Sequence, residues 1–225
     1  TGATLTGAVL IGYQAGYSCT WNHTVAIGHN ALVSNTSGNY NLGIGKDAIG
    51  TNQTGSQNTA IGYQALKTTT GSYNTAVGMQ ALYYTQGATS NTAVGRLAGF
   101  HTTTGGNNTF IGHNSGKEFT TGAGNTFVGS ESNANGVTTG NNNTGVGASS
   151  LKAVTSGYQN VAMGTDSSVK TNTGNNNTTI GTNSGYFNTS GDKNTYVGTA
   201  SGYTSVTNNG NTNIGYEAGH LNAGG

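Results

Sequence analysis

Residues with the chemistry of catalysis or metal binding are few in this sequence, and they lie far apart. The 225 residues include five His, six Asp and Glu together, and a single cysteine, Cys19. A lone cysteine excludes an internal disulfide and a zinc site built from paired cysteines. The sequence also lacks the phosphate-binding loop, the nucleophile elbow and the Asp-rich calcium repeat. Any site must therefore be assembled by the fold from distant parts of the chain.

A repeat of about 17 residues runs through almost the whole chain. It is marked by glycines that follow an aliphatic residue at intervals of 16 to 18 positions. A unit this short cannot hold two helices, but it holds two short β stretches and two turns, which form one coil of a β-solenoid. We therefore predict an all-β parallel β-solenoid of about 13 coils. The thirteen glycines are Gly12, Gly28, Gly45, Gly62, Gly78, Gly95, Gly112, Gly129, Gly147, Gly164, Gly181, Gly198 and Gly215.

This repeat keeps the ionisable residues apart. His29 and His113 share one position of the repeat but lie five coils apart, roughly 24 Å at a coil spacing of about 4.8 Å. That separation is beyond the reach of a metal ion. His23, His101 and His220 fall in turns or near the end of the chain. We expect no enzymatic activity, no cofactor and no metal site. Four carboxylates share another position of the repeat on non-adjacent coils: Asp47, Glu131, Asp166 and Glu217.

Composition alone is typical of a disordered chain, since only 6% of the residues are charged, 32% are hydrophobic and 40 are Gly. The regular repeat argues against disorder, as does the absence of Pro, which would interrupt a β ladder. A net charge of +1 gives no electrostatic basis for binding nucleic acid. No apolar run approaches the roughly 18 residues of a membrane span, so we expect no membrane insertion in this segment.

Cys19 and Trp21 interrupt the repeat, which we interpret as local packing in an irregular turn.

Most positions of the repeat carry a restricted set of residues, which predicts ladders of stacked side chains. An aliphatic residue precedes each marker Gly, and Thr stands two residues before that aliphatic in nine copies. Because side chains two apart share a face of a strand, we expect both to point into the coil, with the Thr half-buried. Asn opens the motif in eleven copies and should stack amide on amide, while Ala or Ser three residues after the Gly indicates a tight inner corner. In two adjacent copies this structural ladder comprises Asn58, Thr59, Ile61, Gly62 and Ala65, then Asn74, Thr75, Val77, Gly78 and Ala81.

A Thr-Gly or Ser-Gly pair near the end of most copies predicts a turn in which Gly adopts a positive φ. Runs such as Thr68–Thr70 and Thr102–Thr104 lie toward these turns, and we do not expect them to keep register along the chain. The pairs are Thr54-Gly55, Thr70-Gly71, Thr104-Gly105, Thr121-Gly122 and Ser190-Gly191.

The position between the Thr and the aliphatic residue is predicted to face away from the interior. It is small or aromatic in most copies and never charged, whereas the outer face of a lone soluble rod should be polar. Each coil also has little core of its own, and oligomerisation is a common remedy. We therefore expect this face to be buried against another copy of the chain. The predicted oligomer face comprises Ala60, Ala76, Ala93, Phe110, Phe127 and Tyr196.

The stretches "NTAIGYQAL", "NTAVGMQAL", "NTFIGHNSG" and "NVAMGTDSS" resemble the head repeat of YadA-type trimeric autotransporter adhesins. In that family an aliphatic-Ala-Ile-Gly strand is followed by Ser or Ala, and similar repeats occur in phage fibres. The resemblance implies a left-handed parallel β-roll assembled as a homotrimer. This chain differs in its longer repeat and in carrying Thr where an aliphatic residue is commoner.

Three functions are compatible with this architecture. The leading expectation is a structural or adhesive segment of a trimeric surface fibre, a fragment of a longer protein covering residues 1–225 as one domain. Such a fibre would lie outside the cell on a bacterial surface or on a phage particle. It would bind copies of itself, with a surface glycan or protein of a host or prey as a further partner. The alternatives are an ice-binding solenoid that uses its Thr ladder and a passive stalk of a phage tail fibre.

An ice-binding face should be outward and regular. If the Thr column shares an inward face with the aliphatic residues, it argues against ice binding. For ligand contact, aromatic residues recur five and six positions after the marker Gly. They could stack on sugar rings or cover the edge of the coil. These weak ligand-binding candidates are Tyr83, Tyr84, Phe100, Tyr186, Phe187 and Tyr203.

Overall fold

The computed structural model describes residues 7–20 and 23–221, and within them the protein is all-β without a helix. Trp21 lies outside the described residues. Two strands of two residues, β5 (Thr68–Thr69) and β7 (Tyr84–Thr85), pair with each other. The other thirteen strands have three residues each: β1 Val9–Ile11, β2 Val25–Ile27, β3 Leu42–Ile44, β4 Thr59–Ile61, β6 Thr75–Val77, β8 Thr92–Val94, β9 Thr109–Ile111, β10 Thr126–Val128, β11 Thr144–Val146, β12 Val161–Met163, β13 Thr178–Ile180, β14 Thr195–Val197 and β15 Thr212–Ile214.

These thirteen strands form one parallel sheet in chain order. Each strand pairs with the next at the same position of the repeat, so that Thr59 lies beside Thr75 and Ile61 beside Val77. The connection between two neighbouring strands is one coil, and the strands enclose about twelve coils of about 17 residues. The predicted parallel β-solenoid is confirmed. With strands about 4.8 Å apart, the sheet is roughly 58 Å long.

The interior of the coil contains the middle residue of each strand, and the predicted orientation of the strands is wrong. Ala60 and Ala76 are fully buried, whereas Ile61 is 38% exposed and Thr59, Thr75 and Val77 are partly exposed. The predicted oligomer face is therefore part of the chain's own core. All six of its residues are 0% exposed: Ala60, Ala76, Ala93, Phe110, Phe127 and Tyr196.

The Asn ladder explains this orientation. Asn58 lies two residues before Ala60, so the two side chains share a face, and that face points inward. Asn74 donates from Nδ2 to Asn58 Oδ1 (3.2 Å) and to the Ala88 carbonyl (2.9 Å), and its backbone N–H also donates to Asn58 Oδ1 (3.0 Å). The predicted stacking of Asn amides is confirmed, and the pattern continues as far as Asn211. From Asn41 onward these hydrogen bonds link each coil to the next at the same position of the repeat.

Glycine is required at two positions of the coil, for different reasons. The marker glycines have φ near +130°, and a Cβ on Gly28 would lie 2.7 Å from the carbonyl of Gly45. The glycines of the Thr-Gly pairs do not have a positive φ, so that prediction is wrong. A Cβ at Gly55 would instead collide with the carbonyl of Gly71 on the next coil. The left-handed positions in the turns are occupied by other residues, among them Gln64 (φ 56°) and Leu66 (φ 48°).

The filling of the interior changes along the rod. Between β2 and β8 it consists of Leu or Ile beside Ala, as at Leu66 and Ala65. Three rings, Phe110, Phe119 and Phe127, pack together in the middle with centroids 5.1 to 6.2 Å apart. Toward the C-terminal end hydroxyl groups replace the aliphatic side chains at the same positions: Ser167, Ser168, Thr179, Ser184 and Ser201.

Candidate functional surface

The outward side of the large sheet is the most regular surface of the molecule, and we call it the strand face. It consists of two columns of side chains, formed by the first and the third residue of each strand. The third residue is always aliphatic or Met, and several remain well exposed, including Ile111 (39%) and Met163 (44%). The first-residue column is Val9, Val25, Leu42, Thr59, Thr75, Thr92, Thr109, Thr126, Thr144, Val161, Thr178, Thr195 and Thr212. The third-residue column is Ile11, Ile27, Ile44, Ile61, Val77, Val94, Ile111, Val128, Val146, Met163, Ile180, Val197 and Ile214.

The nine threonines of the strand face have hydroxyl groups without a protein partner. Within the described residues none of these hydroxyls makes a hydrogen bond. The threonines of the turns differ, because Thr103 and Thr120 each donate from Oγ1 to the backbone carbonyl one coil further on (3.2 and 3.1 Å). Other coils carry Gln53, Gln86 and Val137 at the same repeat position, so threonine does not continue there along the chain, as predicted. The strand face therefore presents a line of hydroxyls available to water or to another molecule.

The aromatic candidates form two clusters on another side of the coil. In the first aromatic cluster, Tyr83 stacks on Phe100 with centroids 5.1 Å apart, and Tyr84 stacks on His101 at 5.3 Å. Tyr83 meets Tyr84 edge to face at 4.5 Å. Lys67 Nζ lies 5.6 Å from the centroid of the Tyr83 ring. The rings thus pack on one another, although Tyr84 remains 40% exposed.

The second aromatic cluster has a similar arrangement in the last coils. Tyr186 stacks on Tyr203 at 5.3 Å, and Phe187 meets Tyr186 edge to face at 4.8 Å. Tyr203 stacks in turn on His220 at 4.9 Å. His220 was not among the predicted candidates, although it stands five residues after Gly215 as Tyr203 does after Gly198. In both clusters the rings pack mainly along the rod, which is the arrangement expected of residues that cover the coil edge.

Charged side chains pair locally on the surface. Glu118 accepts from His101 Nδ1 (2.6 Å) and lies 3.3 Å from Lys117 Nζ. Partial burial acts to raise the pKa of Glu118, but the hydrogen bonds from His101 and Lys117 outweigh it and hold the pKa below its usual range. A hydrogen bond from Lys152 Nζ to Glu131 Oε2 (2.5 Å) likewise lowers the pKa of Glu131.

The side chains that could bind a metal ion are dispersed in the part of the chain that the structure describes. No group of three or more His, Cys, Asp or Glu side chains there is close enough to hold a metal ion. Among the carboxylates that share a repeat position, Asp47 accepts from Asn30 Nδ2 (3.2 Å) and Glu131 pairs with Lys152. The buried thiol of Cys19 accepts from Asn35, and burial raises its pKa, which favours the unreactive protonated form.

Comparisons with known proteins add no identification, because no protein family, curated protein or solved structure matches this chain. Among residues 7–20 and 23–221, no helix has the length and hydropathy needed to cross a bilayer. The functional interpretation therefore depends on the surfaces of the solenoid.

Proposed function

We propose that this chain is a non-enzymatic segment of a homotrimeric surface fibre, carried on a bacterial cell or a phage particle. The observation that carries the proposal is the outward column of aliphatic side chains on the strand face. It continues through all thirteen strands without a charged residue. Contiguous exposed apolar surface of this extent is typical of a protein–protein interface.

A second copy of the chain is the partner that fits this surface best. The strand face repeats at the spacing of neighbouring strands, about 4.8 Å. Only a partner with the same spacing can contact the strand face strand by strand over its full length. A second copy of the chain has that spacing because its sequence is identical. The copies would meet through the first-residue and third-residue columns, since the face predicted from the sequence is buried inside each coil.

The trimer and the left-handed coil are parts of the proposal that come from the resemblance to YadA-type heads. Three parallel rods around one axis bring three identical faces together, which is a closed cyclic arrangement. The single aliphatic column is narrow, as required of a face directed toward such an axis. The mutual packing of the rings in both aromatic clusters favours a spacer role over recognition of a sugar or protein through stacking.

Sedimentation velocity over a range of concentrations tests the assembly. We expect a trimer for the unaltered chain and a monomer for the double variant Ile61→Asp, Val94→Asp, because a buried unpaired carboxylate is costly to desolvate. Val137→Asp is the matched control, since Val137 is 62% exposed and lies outside the strand face. A compact monomer at every concentration for the unaltered chain would contradict the proposal.

Ice binding is a second candidate, favoured by the nine unpartnered Thr hydroxyls on the strand face. This function was disfavoured from the sequence because the Thr column was expected to lie inside the coil, whereas the column lies on the outer side of the sheet. An array that is regular in two dimensions can match a crystal lattice as well as another copy of itself. The two candidates use the same face, so a monomer with clear thermal hysteresis would favour ice binding. A trimer without hysteresis would favour the fibre.

A further inference from the structure

The strand face is divided into segments of different polarity. Its first three strands, β1, β2 and β3, carry an aliphatic side chain in both columns. We call these six residues the apolar segment. From β4 onward each strand pairs a Thr with an aliphatic residue, except β12 with Val161 and Met163. The apolar segment comprises Val9, Ile11, Val25, Ile27, Leu42 and Ile44.

We propose that the apolar segment is where a second copy of this chain docks most tightly, and that it fixes the direction and register of the copies. This inference rests on the proposed self-assembly. The whole strand face, about 10 Å wide and roughly 58 Å long, offers on the order of 600 Å² per copy, below the roughly 800 Å² per partner of a standard interface. The composition of each strand therefore matters for the stability of the complex.

The apolar strands and the Thr-bearing strands differ in the cost of desolvation when a second copy binds. Burying an aliphatic pair removes apolar area from water without disturbing a polar group. Burying a Thr of the strand face desolvates a hydroxyl that has no partner in its own chain, which offsets much of the gain unless the other copy or a water supplies one. The apolar segment thus contributes more per strand than the Thr-bearing strands, whose contacts stay hydrated.

The restriction of fully apolar strands to β1, β2 and β3, apart from β12, selects a single arrangement of the copies. Because the coils are nearly identical, two copies could slide past each other by whole strands at little cost. Any such slip places an apolar strand against a Thr-bearing strand, and β12 is misplaced by the same slip. An antiparallel pairing sets β1, β2 and β3 against Thr-bearing β15, β14 and β13. Only parallel copies in register bring the apolar segments together, so mismatched pairings are disfavoured.

The test exchanges the polarity of β2 and β3 with that of β13 and β14. Val25→Thr, Leu42→Thr converts two apolar strands into the kind that nine other strands already are, so the fold of the single chain should be unchanged. We expect the midpoint concentration for dissociation, measured by sedimentation, to rise about tenfold or more. Thr178→Val, Thr195→Val is the reciprocal variant, and we expect it to tighten assembly and to allow antiparallel copies.

Cross-linking between exposed lysines reports the register. In the unaltered assembly, Lys46 should cross-link to Lys46 of another copy, and the Val25→Thr, Leu42→Thr variant should add links between Lys46 and other lysines. Hydrogen exchange of the buried Asn ladder checks that each variant keeps its fold. Trimers of unchanged affinity and register in both variants would overturn this inference and leave the proposed fibre intact. An unaltered chain that never associates would overturn both.

Discussion

Two regions of the solenoid, from β2 to β8 and from β12 to β15, have the same backbone arrangement but are filled by different side chains. In the first region, Leu66 and Leu82 are fully buried beside alanines. In the second, Ser184 donates from Oγ to the Tyr196 carbonyl (3.0 Å) and Ser201 to the Asn213 carbonyl (2.8 Å). The Asn ladder runs from Asn41 to Asn211 and so is present in both regions, while β1 and β2 pair in the same register without a ladder Asn. The two regions therefore share the ladder and differ in what fills the interior.

The largest expected effect is the loss of an aliphatic side chain from the first region. Leu66→Ala should lower the free energy of unfolding by about 3 kcal/mol, because it leaves a cavity in a closely packed coil. Leu97→Ala is the matched control: Leu97 also has a left-handed backbone (φ 58° against 48° for Leu66), but it is partly exposed. Urea unfolding at one fixed protein concentration measures both. Equal losses in the two variants would show that the apolar filling does not stabilise this region.

A second expected effect distinguishes the contribution of the Asn ladder to stability from that of the side chains that fill the interior. Asn74→Ala and Asn177→Ala each remove an amide that bridges two coils, leaving buried backbone groups unsatisfied at a cost of about 2 kcal/mol. Because the ladder geometry is the same in both regions, the two losses should agree. Hydrogen exchange of the amides in the flanking coils gives the local opening free energy.

Two different results would contradict this separation. If only Asn177→Ala unfolded its coils, the ladder would be important only where the interior is hydroxylated. If neither variant changed exchange, register would come from the backbone hydrogen bonds alone. Ser184→Ala serves as the control, since Ala occupies the same repeat position at Ala65 and its effect should stay within about 1 kcal/mol.

Much of this fold was predictable from the sequence, because a fixed period, an Asn column and a column of Ala or Ser admit few structures. The predicted orientation of the strands was wrong, since the aliphatic residues were assumed to fill the core. The necessary signal was present: Asn58 and Ala60 are two residues apart, and a buried Asn58 requires a buried Ala60. Because neighbouring side chains of a strand point to opposite faces, Ile61 then lies outside.

The candidate surfaces were predictable only in part. The period brought Tyr83 and Phe100 together correctly, because residues at the same repeat position lie on adjacent coils. Their mutual stacking could not be predicted, since it depends on rotamers that the period does not determine. The left-handed conformation of Leu66 was also missed, because no propensity favours positive φ for a bulky residue.

The smallest expected effect distinguishes the two aromatic clusters by their histidines. His101 is hydrogen-bonded to Glu118, whereas His220 Nδ1 has no hydrogen-bond partner among the described residues. The pKa of Glu118 is lowered in the folded chain. This carboxylate therefore stabilises the fold above the ordinary Glu pKa, and the stabilisation is lost as the pH falls through the lower folded value.

Comparison of Glu118→Gln with the unaltered chain measures that contribution. Because Glu118 is partly exposed, the variant should be less stable by under about 1 kcal/mol at pH 6, and the difference should shrink as the pH falls below the ordinary Glu pKa. Thermal unfolding at a series of pH values follows it. A difference that persisted at low pH would assign the effect to packing of the Glu118 side chain against His101. A difference absent at pH 6 would show that solvent screening removes the benefit of the pair, and that the first aromatic cluster is held by its rings alone.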